Sequence, residues 1–304
     1  MIRVLATDGM APPAVKKLKE LGYEVVEQFY EPEDLKKAVQ DTDVMVVRSA
    51  TKVRKDIIDA AAETGKLMLV IRGGVGIDNI DKDYAEEKGV KVTNTPAASS
   101  ASVAELAIGH MFAMARNIGI ANATMRQGEW NKKKYEGIEL SGKTLGLIGF
   151  GRIAREVAKR ATALGMNVIY TKRSGELVEE KTAKFVDMDT LLAESDFISL
   201  HIPKQADKDH VIGKEEIAKM KDGVFLVNTA RGGLIDEDML VEALDSGKIS
   251  AVALDVYREE PTKNTKITSH PKISMTPHIG AATKEAQVRI GDEIVEIIEK
   301  FFKI

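Results

Sequence analysis

An α/β protein of two domains, each built on a doubly wound parallel sheet, is what this sequence predicts, and three observations carry the prediction. Short runs of β-branched and aliphatic residues alternate with charged, amphipathic stretches. The alternation lapses after about residue 96 and restarts at 144. At the restart, the apolar run 144–150 breaks into Gly149-Phe150-Gly151-Arg152-Ile153-Ala154, the glycine pattern that opens a dinucleotide-binding unit.

Composition agrees. A chain of 304 residues is comfortable for two domains. With 44% hydrophobic and 30% charged residues it reads as soluble and globular. A net charge of −3 offers no field for nucleic acid or an anionic membrane. The chain has no cysteine, which excludes disulfides, thiolate catalysis and cysteine-rich metal sites. No apolar run approaches the roughly 18 residues of a membrane span. The first ten residues enter a strand pattern without the layout of a signal peptide. The expectation is a cytoplasmic protein acting on a small molecule, with neither nucleic-acid nor membrane partner.

The elements follow in order. Strand-like runs at 3–8, 23–28, 43–49, 67–73 and 90–96 alternate with helical stretches at 12–22, 31–40, 54–63 and 82–89, several closed by glycine. Strands that are apolar throughout belong to a parallel sheet covered on both faces. Residues 99–126 lack proline, and Ser102 with Glu105 fits a capping box. Their apolar body reads as one long buried helix crossing between the domains. A polar, basic loop fills 127–143. Strand runs then recur at 144–150, 166–171, 196–203, 223–230, 249–256 and 273–277. The last stretch spaces Val288, Ile294, Ile297, Ile298 and Phe301 like the buried face of a helix. The predicted domains are 1–96 plus 281–304, and 97–280 inserted between them.

In the glycine turn, Gly149 permits the tight bend and Gly151 lets backbone approach a pyrophosphate. Arg152 and Ile153 start a helix whose free N–H groups face that anion, and Ala154 is small enough for helix and strand to pack. The plainer reading is a strand–turn–helix with glycines for packing. An NAD site normally ends its second strand with an acidic side chain for the ribose hydroxyls. Here Thr171, Lys172 and Arg173 stand there, and a hydroxyl with two cations suits a 2′-phosphate. NADP is therefore expected to serve as well as NAD, unless these side chains point into solvent.

Three later strands end in chemistry: Arg231 after 223–230, Glu260 after 249–256 and His278 after 273–277. Ligands of open parallel sheets lie beyond the carboxyl ends of the strands. There an arginine grips a carboxylate in a bidentate fork. A histidine moves a hydroxyl proton, and an acid orients the ring. The set suits hydride exchange at a carbon bearing a hydroxyl beside a carboxylate, with no metal. Taken singly, each residue has a duller reading, as a surface ion pair, a turn residue before Pro261 or a core histidine. His110, His201, His210 and His270 read as structural, with His201, just before Pro203, near the cofactor. Thr229, Ala230, Asp255 and Gly280 at the same strand ends complete the candidate cofactor-binding set.

At these residues the sequence resembles the D-isomer-specific 2-hydroxyacid dehydrogenases, from about residue 43 to 292. The likeness lies in GFGRIAREVAKR, VNTARGGLIDEDML, ALDVYREEP and TPHIGAATKEAQ. It implies Arg231, Glu260 and His278 as the catalytic set, and a Rossmann cofactor domain inserted into a flavodoxin-like substrate domain. Further segments, VVRSATKV, RGGVGIDNID and GEWNKKKYEGIELSGKTLG, look like the members that interconvert 3-phospho-D-glycerate and its 2-keto acid in serine biosynthesis. That likeness implies that Arg48, Arg72, Gly73 and Gly74 hold the phosphorylated substrate, with Lys132 where relatives can have arginine. As residues alone, 132–134 read as a solvated charge run. Ser99 departs from the asparagine of many relatives. The apolar helix near His110–Ala115 has more hydrophobic surface than one domain contact needs, so a homodimer built around it is expected, as the resemblance also implies, with Lys132 reaching the neighbour's site. The resemblance implies as well a short form without a C-terminal regulatory domain or serine feedback. The alternatives are a glyoxylate or hydroxypyruvate reductase, favoured by Thr171 and Arg173, and a dinucleotide-sensing corepressor.

Overall fold

The computed structural model describes residues 1–204 and 209–303. Its chain divides into two compact units, Met1–Ser99 with the segment from Ala281, and Ser100–Gly280.

The first unit holds a sheet of β1 (Arg3–Ala6), β2 (Glu24–Glu27), β3 (Val44–Val47), β4 (Leu69–Arg72) and β5 (Lys91–Asn94). Their order is β2-β1-β3-β4-β5, all parallel. Alternate side chains of one strand go to opposite faces. Val4, Ala6, Val44 and Val46 pack with Leu18, Ile294 and Ile298, from the helices Pro12–Glu20 and Lys284–Phe302. Leu5, Met45 and Val47 pack with Leu35, Val39, Ile57 and Ile58 on the other face. Both faces are covered, so the central strand β3 is apolar throughout, whereas the edge strand β2 carries exposed Glu24 and Glu27. Each fully buried Leu or Ile adds roughly 1.5–3 kcal/mol of transfer free energy.

The terminal helix buries Ala286, Ile290, Ile294, Val295 and Ile298, whereas Val288 is 44% exposed. Val288 lies two residues from Ile290, about 200° around a helix, and so faces away. The sequence reading placed it on the wrong face.

The second unit holds β6 (Thr144–Ile148), β7 (Asn167–Thr171), β8 (Lys184–Phe185), β9 (Phe197–Leu200), β10 (Val224–Asn228), β11 (Ile249–Leu254) and β12 (Ile273–Met275). They run parallel in the order β12-β11-β10-β9-β6-β7-β8. The two-residue β8 is too short to leave a periodic signal, and the sequence reading passed over it.

The helix expected over 99–126 is two helices, Ser100–Ala115 and Ile118–Arg126. Asn117 between them is left-handed (φ 54°, ψ 29°), a conformation asparagine tolerates and the helical ladder does not. Only the first half is buried, with Ala104, Ala107, Met111 and Met114 packed among Leu145, Phe150 and Ala158. The second buries no residue. The capping box fails as well: the helix has already begun at Ser100, Ser102 is buried inside it, and Glu105 pairs with Arg160 at 3.0 Å.

The strand order reverses at β1/β3 in one sheet and at β6/β9 in the other. Crevices outside the carboxyl ends of strands at such points are where doubly wound sheets bind ligands. Asp8 and Arg48 follow the first pair of strands, Gly149 and His201 the second.

Candidate active site

At the end of β6 the chain turns on Gly149 (φ +91°), whose N–H donates to the Thr171 carbonyl at 2.9 Å. A Cβ there would stand 2.5 Å from the His201 carbonyl oxygen, so backbone packing alone requires glycine. Gly151 differs. It caps the helix Arg152–Ala163, and a Cβ on it would meet nothing within 4 Å. The protein's own packing does not need glycine at 151, and the open space lies at a helix N-terminus, the kind of place where doubly wound sheets take up anions. Arg152 is exposed, Ile153 half-buried and Ala154 wholly buried against the sheet. The Gly149–Thr171 bond sets the end of β7 beside this turn: Thr171 and Lys172 are half-buried there and Arg173 is exposed.

His201 follows β9, its Nε2 2.9 Å from Ser199 Oγ. Burial pushes its ring down to about 4, so it is neutral at physiological pH. Pro203 beyond it is exposed.

The ends of β10, β11 and β12 converge. A Cβ on Gly232 would lie 1.7 Å from the Tyr257 carbonyl oxygen, so only glycine lets the turns after β10 and β11 meet. Asn228 fastens the first turn, accepting from Ala230 N at 3.1 Å and donating to the Arg231 carbonyl at 2.8 Å. Arg231 Nη1 also donates to the Ala230 carbonyl at 2.6 Å. In the second turn Glu260 Oε1 accepts from Tyr257 N at 3.1 Å, and Oε2 lies 2.6 Å from His278 Nδ1. A carboxylate only accepts, so Nδ1 carries a proton. Nε2 then has no hydrogen-bond partner among the described residues. Both side chains are 35% exposed.

Burial raises the Glu260 carboxyl. The hydrogen bond and charge of His278, the Tyr257 N–H and the Arg231 charge outweigh burial and hold it below the ordinary carboxylate value. Arg231, Glu260 and His278 thus form one electrostatic group. His278 itself is left-handed (φ 54°), uncommon for a residue with a side chain. Glu259, an exposed neighbour, makes no ion pair or hydrogen bond among the described residues.

Asp255 is buried, and both its oxygens face the turn that carries His278. Oδ1 accepts from Thr276 Oγ1 at 2.6 Å and Ile279 N at 2.8 Å, and Oδ2 from Gly280 N at 2.9 Å. Thr229 Oγ1 is buried with no partner among the described residues, a polar atom that a ligand at this edge would satisfy. Ala230 is half-buried beside it.

In the first unit, Arg48 and Arg72 follow or end β3 and β4 and are half-buried. Asp8 Oδ2 accepts from Arg48 N at 2.6 Å and its Oδ1 from Thr51 Oγ1 at 2.6 Å. Asn79 Nδ2 donates to the carbonyls of Arg48 and Thr51, each at 2.7 Å. Gly73 N–H donates to the Val47 carbonyl at 2.8 Å, tying the end of β4 to β3. The Arg72 guanidinium lies over Gly74 (φ +146°), where a Cβ would overlap it.

The sequence reading missed Asp8, Asn79, Asn228, Gly232 and Tyr257. All but Asp8 stand inside the quoted motifs, yet their role is local geometry that spacing does not reveal. Lys132 is exposed in the turn Lys132–Lys134, and no ion pair or hydrogen bond ties it to Arg231, Glu260 or His278. His270 pairs with Asp245 at 3.3 Å, and His210 lies 3.9 Å from Asp236. Among the described residues, no three His, Asp or Glu side chains form a metal-binding group, and no helix is long and apolar enough to cross a membrane.

Residues 108–280 match the family model described as D-isomer specific 2-hydroxyacid dehydrogenase, NAD binding domain. The chain is 51% identical over 284 residues to a hydroxypyruvate reductase of Thermotoga maritima, covering 92% of this chain and 90% of that one. It is 47% identical over 308 residues to a D-3-phosphoglycerate dehydrogenase of Methanocaldococcus jannaschii, covering 100% of this chain but 58% of that longer one. A glyoxylate reductase crystal structure from Paecilomyes thermophila superposes with a TM-score of 0.90 at 36% identity, covering 98% of this chain and 94% of that chain.

Proposed function

The chain belongs to the D-isomer-specific 2-hydroxyacid dehydrogenase family, and from that premise we propose that it interconverts 3-phospho-D-glycerate and 3-phosphohydroxypyruvate, a step of serine biosynthesis. The observation that carries the reading is the Arg231–Glu260–His278 group on the carboxyl edge of the NAD-binding sheet. The cofactor supplies or accepts the hydride. Gly149, Gly151, Arg152 and Ile153 would hold its pyrophosphate, and Thr229, Ala230, Asp255, Gly280, His201 and Pro203 the nicotinamide end. The open space at Gly151 and the unsatisfied Thr229 hydroxyl fit such a group.

The chain's own residues do the rest. Arg231 holds the substrate carboxylate in its guanidinium fork. His278 holds at Nε2 the proton that the hydroxyl gains or loses. Glu260 fixes the ring through Nδ1. Arg48 and Arg72, with Gly73 and Gly74, receive the phosphate, and Lys132 adds a cation. Thr171, Lys172 and Arg173 support NADP as an alternative to NAD. The reading includes a cytoplasmic homodimer, supported by the exposed Ile118 and Met125 on the helix that buries nothing.

A second reading, hydroxypyruvate or glyoxylate reduction, is favoured by the Thermotoga relative, whose length this chain nearly matches. A panel of 3-phosphoglycerate, phosphohydroxypyruvate, hydroxypyruvate, glyoxylate and pyruvate with both cofactors separates the two. On the first reading Arg48→Ala or Arg72→Ala removes most of the efficiency on phosphorylated substrates. A protein that prefers hydroxypyruvate and ignores both substitutions is the second enzyme. A hundredfold preference for NADH ends the NADP proposal.

Glu260→Gln gives a further expected result. Glu260 accepts from Nδ1 as a carboxylate, so the rate falls at acid pH, where that carboxyl takes up its proton. Glutamine has no proton to take up there, so that acid limb is lost in the variant. An unmoved limb in the kcat profile removes Glu260 from its role.

A further inference from the structure

We propose that His110 is a positioning residue for the reaction, acting through Thr276 and Asp255 on the turn that carries His278. The inference rests on the reading of His278 as the proton carrier.

His110 lies in the helix Ser100–Ala115, is 4% exposed, and engages both ring nitrogens. Nδ1 is 3.0 Å from Ser274 Oγ and Nε2 3.0 Å from Thr276 Oγ1. The direction of donation follows from proton counting. Thr276 Oγ1 donates its single proton to Asp255 Oδ1 at 2.6 Å. It therefore accepts from His110, so the ring carries its proton on Nε2, and Nδ1 accepts from Ser274. Asp255, an acceptor only, also takes the N–H groups of Ile279 at 2.8 Å and Gly280 at 2.9 Å. These are the two amides that follow His278.

The relay runs from His110 through Thr276 to Asp255, where the backbone after His278 is fastened. That backbone is what His278 needs: its left-handed φ of 54° persists only where the surroundings impose it. Thr276 is held from the other side, its carbonyl accepting from Tyr257 Oη at 3.0 Å and from His278 N at 3.1 Å. Burial keeps the His110 ring neutral, lowering its proton affinity against the opposing charge of Asp255. Its hydrogen-bond partners are the hydroxyls of Ser274 in β12 and Thr276 just after it. A neutral ring with a fixed tautomer is what the relay requires.

The test pairs removal with conservative rescue. His110→Leu and Thr276→Val are expected to lower kcat by roughly 10- to 100-fold, the scale of a small misplacement of a reacting group. They should also move the acid limb of the kcat profile to higher pH, because a loosened turn lets His278 drift from Glu260 and removes part of what holds that carboxyl low. His110→Gln, which donates and accepts at comparable positions, and Thr276→Ser keep most of the rate and the wild-type limb. Wild-type kcat and an unmoved limb in both His110→Leu and Thr276→Val overturn the proposal. Should those variants fail to fold, the ¹⁵N spectrum of the wild-type histidines decides: a proton on His110 Nε2 supports the relay and one on Nδ1 overturns it. His278→Gln separates the two levels. Full activity there removes the reaction reading and the positioning role with it, whereas a proton on Nδ1 of His110 removes the relay and leaves the reading intact.

Discussion

His278→Gln is expected to lower kcat in both directions by roughly a thousandfold, within the 10²–10⁴ range of positioned acid–base groups. Glutamine reproduces the size of the side chain and its contact with Glu260, but no atom of it takes up and returns a proton near neutral pH. Cofactor affinity is expected to stay put, because the glycine turn and the strand ends that would hold the dinucleotide do not involve the imidazole. Folding should stay put as well. The His278–Glu260 pair is 35% exposed on each side, and ion pairs screened to that degree add little net stability. Steady-state rates, a fluorescence titration with reduced cofactor and a thermal melt together check this. A variant that retains more than a tenth of the rate, with a normal melt, means that some other group moves the proton.

Both sheets were readable in the sequence because covered parallel strands are apolar from end to end: Val44–Val47 is buried at every position, and so is Phe197–Leu200. Long-range order leaves such signals, whereas local exceptions do not. Asn117 breaks a helix with one left-handed residue, and nothing in a run without proline announces it. Val288 sits among apolar neighbours on a helix, and only the partner surface decides which face is inside. Arg231, Glu260 and His278 were legible as polar groups following apolar strands. That they form one group depends on Gly232 and on two hydrogen bonds of Asn228, contacts between turns that spacing alone cannot supply. Asp255 shows the reverse limit: its strand-end position was plain, but not that both oxygens face the His278 turn.

Arg231→Ala carries the second large effect, a fall in kcat/KM of about a thousandfold. Removing one partner of a charged pair inside a binding site costs about 2–5 kcal/mol, a factor of roughly 30 to 5,000, much of it for leaving the other charge unpaired. Arg231→Lys recovers only part of this, because an ammonium restores the charge without the planar fork that matches a carboxylate. The substitution also has a sign that can be read in pH. The Arg231 charge is among the influences that hold the Glu260 carboxyl below its ordinary value. Take it away and that carboxyl binds its proton at a higher pH, so the acid limb of the kcat profile moves upward. Lysine keeps the charge nearby and should leave that limb close to wild type while kcat/KM stays low. Rates across pH for the alanine and lysine variants therefore separate the two contributions of one guanidinium, its geometry and its charge. If alanine lowers kcat/KM by less than tenfold, the substrate carboxylate is held elsewhere. If alanine and lysine shift the acid limb equally, Glu260 does not respond to the charge at 231.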